Sequence, residues 1–325
     1  MRRSVLLVLF ALPVVAAFAC GEETTNPAFP DDASTSPPET GSDARDPSVD
    51  AGADADGSAT DAGGDAARTT ACRGEIVFLS QADGRSWKVL ADGGNPTRVS
   101  PDDVTFSPTW ILGCSRVMTV FPEAGTGMVI GTYTPDGGNT QLLRAGNDPA
   151  WDDVHQRIVF SGNSVNLLGL YSMQPDGGDL VTLGADDGFN YSEMAVSPDG
   201  TTIAVQHKSQ LQLIENKASG ALIRALPPCR FPAWNPDGKR LACTTIISPT
   251  AARIFVMDAV TGATSDLTTG AAFDVGAVWS PDGKELAFTR GPGPGSAGAE
   301  IHVMDADGSN IRKITSLEGA NADWR

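Results

Sequence analysis

The sequence is poor in basic residues and in histidine. Its 23 Lys and Arg face 40 Asp and Glu, for a net charge of −17 over 325 residues. An acidic chain without a basic cluster argues against a nucleic-acid partner, because phosphate contacts supply most of that affinity. There are three histidines, His155, His207 and His302. They fall at non-equivalent places in the repeat described below, so a shared metal site is not expected. No Gly-x-Ser-x-Gly elbow and no phosphate-cradling glycine loop is present, so the common hydrolase and nucleotide-enzyme motifs are missing. No cofactor is expected.

What is present begins with an address. The chain opens MRRSVLLVLFALPVVAAFAC. Arg2 and Arg3 precede an apolar run from Val5 to Ala16, and Ala17-Phe18-Ala19 forms a small-x-small cleavage site. That is a secretory signal, too short for a stable membrane span. The Cys that follows makes the segment resemble a bacterial lipoprotein lipobox, which implies lipidation of Cys20. Gly21 in place of Asp implies, by that family's sorting rule, the outer membrane. Cleavage at the same bond without lipidation, leaving a soluble exported protein, is the alternative. The membrane is expected to be met through the lipid anchor alone.

Residues 20–70 differ from the rest. They are Ala, Asp, Gly, Ser, Thr and Pro with almost no apolar bulk, and from 21 to 70 twelve acids and two Arg give a net of −10. Such a segment cannot bury enough surface to offset chain entropy, so a disordered acidic tether is expected. The signal is therefore read as 1–19, the lipidated Cys and tether as 20–70, and one folded domain as 71–325.

The folded part is a repeat. AVSPDGTTIAV, AWNPDGKRLAC and VWSPDGKELAF begin at 195, 233 and 278, with weaker copies from 105 and 150. Taking Phe106, Trp151, Val196, Trp234, Trp279 and Trp324 as markers gives spacings of 45, 45, 38, 45 and 45. A period of 40–50 residues predicts propeller blades, and four short strands with Asp-Gly turns predict a meander in each. Residues 74–100 lack a first strand, and the C-terminal NADWR is a first strand lacking the rest. Joining them gives an all-β, six-bladed propeller whose last strand closes the first blade. The Asp of each Pro-Asp-Gly, such as Asp282, reads as a turn residue, since no other liganding groups accompany it.

WSPDGKELAF with IHVMDADGSNIRKIT resembles the repeat of TolB-type propellers, over about 71–325. That resemblance implies a binding scaffold and does not carry over the role of TolB itself. Similar propellers include lyases and lactonases with metal ligands at the pore mouth, so a metal-dependent lyase or hydrolase is the third reading. The first is a noncatalytic, monomeric envelope lipoprotein that binds an envelope protein. The second is binding of a polysaccharide or small ligand at the pore mouth.

Variation concentrates in the middle loops and the blade connections, which share one face of the disc. That loop face is the expected binding surface, with Phe189, Tyr191, Phe231 and Phe273 as anchors and Arg230 and Arg290 as polar contacts. With Cys20 lipidated, four cysteines remain and permit two disulfides in three connectivities. Cys72–Cys114, at nearly equivalent places in adjacent blades, and Cys229–Cys243, within one blade, are the favoured pairs. Free buried thiols are the alternative.

Overall fold

The computed structural model describes residues 74–325 except 126, 163–168, 185–186 and 188–189. Cys20, the tether, Cys72 and Phe189 lie outside the described residues.

Every regular element among the described residues is a β-strand. The chain opens with β1 (Glu75–Ser80), β2 (Ser86–Leu90) and β3 (Thr97–Arg98). Next come β4 (Phe106–Ile111), β5 (Arg116–Glu123), β6 (Gly127–Tyr133) and β7 (Gln141–Ala145), an antiparallel four-stranded sheet. A second such sheet holds β8 (Asn147–Asp152), β9 (Arg157–Ser161), β10 (Leu170–Met173) and β11 (Val181–Gly184). A third holds β12 (Tyr191–Val196), β13 (Thr202–His207), β14 (Gln210–Glu215) and β15 (Leu222–Leu226). β16 (Arg230–Trp234), β17 (Arg240–Ser248), β18 (Ala251–Asp258) and β19 (Thr264–Asp266) form a fourth meander. The last strands are β20 (Phe273–Trp279), β21 (Glu285–Gly291), β22 (Glu300–Asp305) and β23 (Arg312–Trp324).

β23 serves two meanders. Its first part pairs with β22, His302 opposite Lys313, and its last part pairs with β1, Ile76 opposite Trp324. The C-terminal residues thus supply the strand that residues 74–100 lack. β4, β8, β12, β16, β20 and the end of β23 stand beside one another in that order, and β23 stands beside β4. These contacts close the strands into a ring.

The register corrects one marker. Trp110 pairs with Val117 as Trp151 does with Ile158 and Trp279 with Leu286. The equivalent of the later Trps is therefore Trp110, and Phe106 lies four residues earlier in the same strand. An aromatic at either place looked alike in sequence; the hairpin register distinguishes them.

The apolar core lies between the sheets rather than at one centre. Trp110 packs with Val77 and Val99 of the preceding meander, Trp279 with Ala242 and Ile254, and Trp324 with Ala287, Ile301 and Val303. Each marker Trp is thus a wedge against its neighbour. Close backbone approach supplements the wedges at the turns. Gly308 has φ +87°, and a Cβ there would lie 2.5 Å from the Leu267 carbonyl oxygen of the preceding meander. Only a residue without a side chain fits that conformation and that gap together.

Candidate functional site

The two faces of the ring differ in chemistry. One carries the turns after each first and third strand. There Asp282 accepts the Ser280 hydroxyl at 2.7 Å and the Lys284 N–H at 3.2 Å. Ser280 Oγ in turn accepts the N–H groups of Lys284 and Glu285 at 3.2 and 3.0 Å. The hydroxyl, then the N–H, hold the Asp282 carboxyl below its ordinary range. Asp199 repeats this with Ser197 and Thr201. Asp307 accepts the N–H of Ser309. These carboxylates bond their own turns, which is what a tight Pro-Asp-Gly connection requires. Between turns 282–285 and 305–307 lies a shallow open depression.

The opposite face begins each inner strand, and a bulge recurs there. The third residue before each marker has a left-handed backbone: Ser107, Asp148, Glu193, Phe231, Gly276 and Asn321, with φ between +47° and +63°. The hairpin registers break at the same place, as between Asn147 and Ala150 or Arg230 and Ala233. A bulge takes an N–H out of the ladder, and that group then needs another acceptor.

On three consecutive inner strands charged side chains stand at or beside the bulge, two carboxylates and one guanidinium. The Asp148 carboxylate stands close enough to the N–H of Glu193 for that dipole to lower its pKa. Glu193 accepts the N–H of Phe231 at 2.9 Å and the Nε of Arg230 at 2.7 and 2.8 Å, with a further bond from the guanidinium NH2. That bond to Glu193 raises the Arg230 pKa. Asp148 is exposed at the start of β8. Desolvation among the inner strands, then the Glu193 charge, pushes its pKa up to about 6, against the opposing pull of the Glu193 N–H and Arg230.

Farther toward this face each hairpin is pinned differently. Asp274, 1% exposed, holds Arg290 by two bonds of 2.7 and 2.9 Å. Tyr191 occupies the equivalent position in β12 and stacks on His207, ring centroids 4.1 Å apart and planes at 9°. Cys229 and Cys243 are bridged, with Cα atoms 5.1 Å apart. Unbulged hairpin register would leave them about three residues out of line. The bulge at Phe231 takes up one residue, placing Arg230 opposite Thr244 and bringing Cys229 within reach. Cys114 is also disulfide-bonded; Cys72, its expected partner, lies outside the described residues.

The expected binding residues therefore separate. Tyr191, Arg230 and Phe231 meet the loop face, Phe231 half-buried with the Arg230 guanidinium 5.4 Å from its ring centroid. Arg290 is there but bonded to Asp274. Phe273 is 5% exposed, withdrawn from the surface. Phe189 lies outside the described residues. Asp148, Glu193 and Asp274 were not singled out from sequence. Alignment on Trp110 would have shown Ser, Asp, Glu, Phe, Gly and Asn in one column, three of them (Asp, Gly and Asn) types that tolerate left-handed backbone. The three histidines pair with three separate carboxylates, Asp152, Asp187 and Glu300.

A closed ring of antiparallel meanders with its core between the sheets is a β-propeller. The TolB beta propeller domain model matches residues 223–324, the part running from β15 to the closing strand. TolB from Acinetobacter baumannii is similar at 18% identity, over 77% of this chain and 66% of that chain, with a TM-score of 0.62. This chain thus spans just under two thirds of that protein. A putative TolB from Agrobacterium tumefaciens is similar at 14% identity, over 75% and 89% of the two chains, TM-score 0.56. A puromycin hydrolase is similar at 16% identity over 74% of this chain and 43% of the enzyme, TM-score 0.51. Identities this low speak to fold alone. The chain carries a TolB-like β-propeller.

Proposed function

We propose that this chain is a noncatalytic envelope scaffold: a six-bladed TolB-like propeller spanning 71–325 that binds an envelope protein through its loop face. The signal at 1–19 exports it, and lipidated Cys20 with the acidic tether to residue 70 holds it at the outer membrane. The observation that carries the binding reading is the contrast between the faces. Carboxylates such as Asp282, Asp199 and Asp307 on the turn face are engaged by their own turns. The loop face instead places the exposed Asp148 carboxylate and the half-buried Phe231 ring beside the Glu193–Arg230 pair. Six equivalent bulges around one closed ring support the blade count. The axial position of the charges favours a second reading, a small polar ligand at the channel mouth.

Phe231→Gly tests the reading. Its left-handed φ of +52° suits glycine, so removing the ring relieves strain instead of adding it. In-cell crosslinking followed by affinity capture of the lipoprotein is expected to recover one dominant partner from wild type and to lose it in F231G, with the melting temperature nearly unchanged. Capture unaffected by F231G would remove the loop face from the proposal. No captured protein would leave the small-ligand reading.

A further inference from the structure

Eight Asp-Gly pairs lie wholly within the described residues, at Asp83, Asp92, Asp136, Asp176, Asp199, Asp237, Asp282 and Asp307. The dipeptide is chemically frail. Glycine has no side chain to shield its nitrogen from the preceding carboxyl group, and the two can close a five-membered ring. In all eight pairs the glycine N–H is bonded to a carbonyl of its own turn, as Gly93 is to Leu90 and Gly308 to Asp305, both at 2.9 Å. That bond therefore does not separate one pair from another.

The carboxylates do. Seven of them, all but Asp92, accept the N–H two residues further on at 2.8–3.2 Å, as Asp136 does from Gly138 at 3.0 Å. At Asp136, Asp199, Asp282 and Asp307 a neighbouring hydroxyl and then that N–H also hold the carboxyl below its ordinary range, in the ionised form that is the poorer electrophile. Asp92 is exposed, and among the described residues its carboxylate has no hydrogen bond or ion pair. Local sequence is not the cause, since residues 92–95 and 136–139 both read Asp-Gly-Gly-Asn.

We propose that Asp92 is a modification site, the described Asp-Gly pair at which the folded chain first converts to isoaspartate. The Gly93 nitrogen attacks the protonated Asp92 carboxyl carbon, an N–Cγ bond forms, and the acid hydroxyl leaves with the amide proton as water. A water molecule then opens the succinimide. Cleavage of the bond to Cγ restores aspartate, and cleavage of the bond to the main-chain carbonyl carbon leaves the peptide running through the side chain. Water lost is water regained, so no other reactant is needed. The location gives the change a consequence. The turn between β2 and β3 rests on β23: a Cβ on Gly93 would stand 3.1 Å from the Ile314 carbonyl oxygen, and the Arg312 guanidinium donates to the Ala91 carbonyl at 3.4 Å. Isoaspartate adds one carbon to the main chain at that contact, against the strand that serves two meanders.

The test ages the mature, folded chain at neutral pH and follows the Asp-Gly peptides by proteolysis, chromatographic separation of the aspartate and isoaspartate forms, and fragmentation sequencing. Asp92 is expected to gain isoaspartate roughly 2–10-fold faster than Asp136, the factor by which one hydrogen bond of ordinary net strength withdraws a group from reaction. In urea the two rates should converge, because the local sequences match. Equal rates in the folded chain, earlier isoaspartate at any of the other seven, or a gap that persists in urea would overturn the proposal.

Discussion

Gly308→Ala separates backbone strain from steric contact. Gly308 sits at φ +87°, and the added Cβ would meet the Leu267 carbonyl oxygen at 2.5 Å and its Cα and carbonyl carbon at 3.1 Å. A left-handed alanine costs roughly 1–2 kcal/mol wherever it occurs. The clash adds roughly 1–3 kcal/mol, because the obstructing atoms are backbone and cannot rotate away. Gly295 is the internal control: φ is +62° and a Cβ there meets nothing within 4 Å. G295A should therefore show the strain cost alone, and G308A should exceed it by about 1–3 kcal/mol. Urea unfolding with an unchanged m-value reads the difference. A melting-temperature gap of roughly 2–12 °C should accompany it, at about 2–4 °C per kcal/mol for a domain this size. Equal losses in the two variants would refute the view that the third turns dock by direct backbone contact on the preceding blade.

Trp279→Ala should cost about 3–5 kcal/mol, since a wedge 5% exposed leaves a cavity between two sheets; urea unfolding measures it, and a loss below about 1 kcal/mol would mean that the sheets do not rely on their wedges. Replacing Cys229 and Cys243 by Ala should cost about 3 kcal/mol, given a sequence separation of 14, and reductant should then affect unfolding less than in wild type. Ser280→Ala should cost about 1–3 kcal/mol, because it strips the Lys284 and Glu285 N–H groups of an acceptor. The Asp148 pKa is raised in the folded state, so the native chain holds that proton more tightly than the unfolded one. Its contribution favours folding below about pH 4 and is lost as pH rises through about 6. Asp282 has the opposite sign: its lowered pKa gives stability present above about pH 4 and lost below it. Comparing urea midpoints at pH 4.5 and 7.5, the fall toward neutral pH should be smaller in D148N than in wild type. An identical fall would contradict the assignment.

The architecture was legible because it repeats. Trp151, Trp234 and Trp279 recur with Pro-Asp-Gly or its remnant at a fixed offset, and Trp324 keeps the same spacing. The first copy misled because Phe106 and Trp110 share one strand, and only pairing with Val120 or Val117 tells them apart. Turn Asp residues were readable because their chemistry is local. The loop-face charges were not, because Asp148, Glu193 and Arg230 lie 45 and 37 residues apart and meet only when neighbouring blades dock. Phe273 shows the converse. A loop-flanking aromatic looks like an anchor in sequence, and its burial depends on a parallel pairing with Ala252 that no local pattern encodes.

The most direct test of the scaffold reading compares the two faces in cells. A photo-crosslinking residue would replace Lys208 on the loop face, 47% exposed in its side chain, or Lys284 on the turn face, 79% exposed. A binding loop face predicts one dominant adduct from position 208 and none from 284. An adduct from 284 alone, or equal labelling from both, would contradict it.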